Sequence, residues 1–190
     1  MSKDTSDKLL IETKFETLIS KSKDYIKTRN ENELVSLRND IKNLKARVNV
    51  ALESYGNSND VNYLTSLKLM LAIIQKFTCS VELMENLKSK KPLCVEFDTK
   101  QMLDILLPNI KTVIECDNWS KGLDTAKLER DYAFIESLED QHKRVLLSHL
   151  IEDWHNMDEV LTLLKIGETY KNIAEKLVSL SLLSGYIEKH

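Results

Sequence analysis

Tight reversals of a β-chain call for residues that tolerate φ > 0, chiefly glycine. This sequence of 190 residues has four glycines and two prolines. Average usage of roughly 7% and 5% would give about thirteen and nine. An all-β sandwich or barrel is therefore excluded. No two glycines lie close enough to build a phosphate-binding loop, which argues against a doubly wound α/β enzyme. An apolar content of 42% with 30% charged residues is far from a disordered composition. What remains is an all-α chain: a bundle or array that the periodicity divides into seven or eight helices.

Residues 11, 15, 18, 22 and 25 (Ile, Phe, Leu, Ser, Tyr) form one apolar seam at helical spacing. A second seam, Leu34, Leu37, Ile41, Leu44, Val48 and Leu52, is out of phase with the first. Asn30 and Glu33, between them, have capping-box spacing. Residues 1–55 thus read as an N-terminal helical arm, either a hairpin or one broken rod. A continuous rod of that length would span about 75 Å at 1.5 Å per residue. Tyr55-Gly56-Asn57-Ser58-Asn59 is the clearest break and separates the arm from a helical body over 59–190.

In the body, Leu64 to Phe77 carries an apolar face wide enough for a central helix. A short helix is expected near 80–88, and another over 99–115, capped by Asp98 and bent or restarted at Pro108. Asp124 suits the cap of a long helix reaching about 154, and Asn156 with Glu159 form a second capping-box pair. Gly167 and Gly185 are expected at the ends of the last two helices.

Net charge is −3, so no overall basic field drives phosphate-backbone binding. Residues 1–100 hold 17 basic and 14 acidic side chains (+3), and residues 101–190 hold 10 and 16 (−6). The three cysteines, Cys79, Cys94 and Cys116, are odd in number and lack metal-ligand spacing, so each reads as a small buried hydrophobe in a reducing compartment. The charged N-terminus is no signal peptide, and the longest apolar run is too short for a membrane span. An intracellular protein, cytoplasmic or nuclear, with no membrane partner is expected.

His142, His149 and Asp153 are the one group that could serve acid–base or metal chemistry, with Glu152 and His155 nearby. The two histidines interrupt a leucine stripe, where half-buried hydrogen-bonded histidines ordinarily sit. No catalytic, cofactor or metal site is therefore expected, and the chain reads as a non-enzyme. More amphipathic helix is present than one core needs, which suits grooves that hold another protein's helix. The expected partner-binding residues are Leu34, Leu37, Ile41 and Leu44 of the arm seam, with the basic turn Lys88, Lys90, Lys91 and Leu93. Trp119 and Trp154 are candidate anchors. Self-association and hetero-oligomers both fit. A nucleic-acid or chromatin-associated domain using the basic N-terminal half is the alternative, made unlikely by the overall acidity.

One set of stretches carries a resemblance. Val81-Glu82-Leu83-Met84-Glu85-Asn86-Leu87, Lys91-Pro92-Leu93, Asp98, Leu106-Leu107-Pro108-Asn109-Ile110 and Gly122-Leu123 follow in order, with Lys165-Ile166-Gly167-Glu168-Thr169-Tyr170 later. They are spread over residues 81–123 and 165–170. They resemble the C-terminal helical domain of katanin's regulatory, WD-repeat-bearing subunit. The resemblance implies a helical domain that clasps the N-terminal helical domain of a microtubule-severing AAA ATPase, hence a cytoskeletal adaptor. This chain has no WD-repeat propeller, and its arm has no counterpart in that family.

Overall fold

The computed structural model describes residues 3–55, 61–87, 96–115 and 123–187. Six α-helices account for nearly all of them, with no strand among the described residues. They are α1 (Lys3–Thr28), α2 (Glu31–Tyr55), α3 (Val61–Met84), α4 (Glu96–Glu115), α5 (Thr125–Glu152) and α6 (Met157–Ile187). One 3₁₀ turn, Trp154–Asn156, joins α5 to α6. The class is all-α as the composition requires, but the described residues form six helices, because three expected breaks are absent.

The expected short helix near 80–88 is the end of α3, which runs unbroken through Ser80 to Met84. Pro108 lies inside α4 without ending it. Leu106 and Ile110, on either side of it, are both buried, so one apolar face continues through the proline. Gly167 and Gly185 lie inside α6 rather than at helix ends. Helix burial thus outweighs local propensities worth about 1 kcal/mol for glycine and 3 kcal/mol for proline.

The arm is a hairpin. Arg29 turns it in the left-handed region at φ 55, and Asn30 starts α2 by accepting from the Asn32 N–H at 3.0 Å. The capping box does not close. Glu33 instead accepts from the Thr28 hydroxyl at 2.7 Å, and that hydroxyl accepts from the Asn30 N–H. Asp124 caps α5 as expected, accepting from the Lys127 N–H at 2.9 Å.

Helices α1, α2, α3, α6 and α4 contact in a closed ring, α4 returning to α1, while α5 packs outside against α4 and α6. The aromatic centre joins three of them: Phe77 lies 6.4 Å from Phe15 and 6.1 Å from Tyr170 between ring centroids. All three rings are fully buried. Burial pushes the Tyr170 hydroxyl well above the usual tyrosine range. Arm and body therefore share one hydrophobic core. Ion pairs stitch its outside, Lys23 to Asp104 and Lys111 to Glu16 between α1 and α4, and Lys21 to Asp40 within the hairpin.

Candidate functional site

The arm seam meets the chain's own core. Leu34, Leu37, Ile41 and Leu44 are all buried. In this conformation they offer a partner little apolar surface beyond Ile41, which lines an open groove. The physical reason is the turn at Arg29: it folds α2 back on α1, and α2 then packs on α3. Two contacts fix the hairpin end to the body. The Tyr25 hydroxyl donates to the Met84 carbonyl at 2.9 Å. The Arg29 guanidinium meets the Glu159 carboxylate at 3.3 Å, both nearly excluded from solvent. Lys88, Lys90, Lys91 and Leu93 lie outside the described residues, as do Gly56, Cys94, Cys116 and Trp119. Cys79 is exposed, where burial was expected.

What stays open beside the seam is a groove of about 260 Å³ between α2 and α3. Ile41 and Val81 lie at its floor, Arg38, Lys42 and Lys45 line the α2 side, and Glu82 and Glu85 line the α3 side. An Arg38–Glu85 ion pair joins the two walls.

The polar group around His142 divides into unrelated parts. His142 is fully buried, and its Nε2 donates to the Leu163 carbonyl at 3.3 Å. Its Nδ1 faces the Asp98 carboxylate at 3.9 Å. Burial holds the imidazole below, and the Asp98 carboxyl above, their ordinary pKa ranges. Beside them Glu139, also fully buried, is held by Lys143 at 2.7 Å and Lys171 at 3.4 Å. His149 sits nearer Glu152, at 3.7 Å. Asp153 binds neither histidine of the stripe: it accepts from the His155 N–H and pairs with the His155 ring at 3.0 Å. Those bonds hold its carboxyl below the usual range. Among the described residues, no group of three or more His, Cys, Asp or Glu is arranged to hold a metal ion.

Gly167 explains how α5 and α6 approach so closely. A Cβ there would sit 3.1 Å from His142 Cδ2. Its place is set by packing, which no local signal in the sequence reveals.

The feature that periodicity passed over is on the outside of the same helix pair. Leu147, Ile151, Trp154, Met157 and Leu161 are large, apolar and exposed, Ile151 by 88% and Trp154 by 70%. Leu147 and Ile151 are four apart on α5, and Met157 and Leu161 are four apart on α6, so each pair shares a face. The His142–Leu163 and Glu139–Lys171 contacts set the antiparallel register of the two helices. That register brings Leu147 level with Leu161, and Ile151 level with the 3₁₀ turn; Leu161 also lines a cavity with Asn86, Asp158 and Lys165. The Trp154 ring lies over His155 at the tip, with centroids 4.1 Å apart. The signal was available as apolar residues lying off the buried stripe of Leu128, Ile135, Leu138 and Leu146.

No helix of the described residues is long and apolar enough to cross a membrane. No protein-family model and no curated protein matches this chain.

Proposed function

We propose that this chain is a non-enzymatic helical adaptor, a subunit that holds another protein against the outer face of its C-terminal hairpin within an intracellular complex. The observation that carries this reading is the exposed set Leu147, Ile151, Trp154, Met157 and Leu161. An apolar patch of that kind marks an interaction surface in soluble proteins. Tryptophan is over-represented among the side chains that dominate such interfaces. The face is built on two long helices packed against each other, which lowers the ordering cost of binding.

Katanin's regulatory subunit supplies the specific form of the proposal: a cytoskeletal adaptor clasping a helical domain of a severing ATPase. Much of what carries that resemblance is core here, including Val81, Met84, Leu87, Leu106 and Ile110. It therefore supports a shared way of packing helices more than a shared binding face.

Affinity capture from cell extract tests the reading. A stoichiometric protein should co-purify with the natural chain and be lost with Ile151→Asp, while the circular-dichroism melt stays unchanged. The isolated N-terminal helical domain of the severing ATPase, used as direct bait, tests the katanin-like form. Retention of the same partners by Ile151→Asp overturns the use of this face.

A further inference from the structure

Helix α5 shows how this body fills a groove on the outside of its ring. It packs against both α4 and α6, with Leu128, Ile135, Leu138 and Leu146 buried. The groove between α2 and α3 is lined by those two helices alone, and no third helix of the described residues lies over it. Neighbouring boundaries are closed by charge: Lys23–Asp104 and Lys111–Glu16 between α1 and α4, and Lys21–Asp40 between α1 and α2. Between α2 and α3 the pair is Arg38–Glu85, at one end of the groove. Beyond it, Lys42 and Lys45 on α2 and Glu82 on α3 are exposed and make no ion pair among the described residues. Opposite signs thus stand on opposite walls, apart rather than joined, with Ile41 and Val81 between them.

The separation of sign holds along the whole groove. From Arg38 to Lys45, α2 presents cations to it, and α3 presents the carboxylates Glu82 and Glu85. Asp40 turns away, to Lys21 on α1. Glu31 and Glu53 on α2, and Lys68 on α3, share these sides of their helices but stand two turns or more beyond. The apolar floor runs past the hollow as well. Leu52, eleven residues after Ile41, and Leu71, seven before Thr78, fall on the groove side, and both are only partly buried. Val35, seven before Lys42, is 54% exposed. From Val35 to Leu52 the strip covers about 25 Å at 1.5 Å per residue.

Size and shape select the kind of occupant. The hollow of about 260 Å³ is smaller than the roughly 300–1,000 Å³ of small-molecule sites, and suits one large anchoring side chain. A strip five turns long around such a hollow fits a helix.

We infer that this groove seats an amphipathic helix of another protein. One large apolar side chain of that helix rests over Ile41 and Val81, acidic residues line its flank toward Lys42 and Lys45, and a basic residue faces Glu82. Reversing the helix would set like charges against each wall, so the walls fix its direction. The Arg38–Glu85 pair is exposed on both sides; such a pair contributes little and yields to the flanks of an incoming helix. This second docking surface shares no helix with the outer face of the C-terminal hairpin.

Benzoylphenylalanine placed at Ala46, exposed and one turn past Lys42, samples the groove when the full chain is irradiated in cell extract. It should cross-link to one segment of another protein, with apolar residues at helical spacing and acids along one flank. That segment, made as a labelled peptide, should bind the full chain in fluorescence anisotropy. Lys42→Glu with Lys45→Glu should weaken binding about tenfold. A peptide whose flanking acids are exchanged for lysine should bind the natural chain worse and the charge-reversed chain better. Both lysines are exposed, and an unchanged melting curve establishes that the variant folds. Ile151→Asp should leave peptide binding unaltered, so this groove and the outer face of α5–α6 succeed or fail separately. The inference is overturned by a cross-link to a second copy, to this chain itself, to a segment without that pattern, or to nothing. Peptide affinities that ignore the charge exchange overturn it too.

Discussion

Two antiparallel helical hairpins in this chain leave different amounts of apolar side chain exposed: Val35 and Val50 on α2, but Phe134, Leu147, Ile151, Met157 and Leu161 on α5 and α6. The α1–α2 hairpin turns its seam inward, and Leu34, Leu37, Ile41, Leu44 and Val48 are all buried. The α5–α6 hairpin buries a stripe too, but keeps a second group, Leu147, Ile151, Met157 and Leu161, on its outer side. Their connections differ in the same sense. The first turns tightly through Arg29 at φ 55 and is tied to the body by Glu159. The second ends in a 3₁₀ turn whose Trp154 projects into solvent. A regular heptad-like seam in a chain of this size is the mark of its own core, and the apolar residues that fall off the seam mark the surface.

The sharpest way to break the comparison is at the first turn. Arg29→Ala strips the cation from a buried carboxylate and leaves the strained φ in place. It should cost about 3–5 kcal/mol in urea denaturation. Arg29→Met with Glu159→Leu should recover most of that loss, because the buried carboxylate goes with its partner. Next in size, Leu37→Ala should cost about 2–5 kcal/mol through the cavity it opens. For a chain of this length that lowers Tm by roughly 2–4 °C per kcal/mol.

Gly167→Ala gives a smaller effect with an informative sign. Crowding against His142 costs about 1–3 kcal/mol, and the helix gains about 1 kcal/mol from losing glycine. A net loss near 1 kcal/mol follows. In a His142→Ala background the crowding is gone, and the same change should stabilise the protein by up to about 1 kcal/mol.

Acidification probes the same helix contact. Burial lowers the His142 pKa, so the unfolded chain takes up a proton first as pH falls below about 6.5. Stability should therefore decline from pH 7 toward 5 and stay flatter in His142→Gln, as read by denaturant titration at each pH. Asp98 acts in a lower window and with the opposite sign. Its raised pKa favours the folded state below about 3.8, and that contribution is lost as pH rises through its folded value. Smallest of all, Ile151→Ala should change monomer stability by less than about 0.5 kcal/mol, since little of its side chain is buried. A large loss there would mean that the outer face belongs to the core after all.

Some of this was legible in advance for identifiable reasons. The out-of-phase seams on either side of Asn30 called for a break, as a hairpin or a broken rod, and the structure has the hairpin. Asp124 followed by an apolar stripe is a local signal, and the cap forms. The three false breaks have a common cause. Residues 80–88, Pro108 and Gly167 carry local signals to stop, but each lies where burial on an existing helix is continuous. Val81 and Met84 face the core at the end of α3, Leu106 and Ile110 bridge Pro108, and Ile166 and Tyr170 bridge Gly167. The docking face escaped the periodicity because a seam search collects the residues that agree with it. Leu147 and Ile151 do not.

By itself the sequence determined that this protein is helical, that its first fifty residues carry two apolar seams out of phase, and which side chains are apolar at helical spacing. These follow from turn chemistry and period, which act over a few residues. Only the tertiary structure decided that the arm seam is covered by the chain's own body, and that His142 and Asp153 face different surroundings. It also decided that Leu147, Ile151, Trp154, Met157 and Leu161 stay exposed on the α5–α6 pair. Those outcomes depend on which helix lies against which, and helix pairing is set by burial summed over the whole core rather than by any local signal.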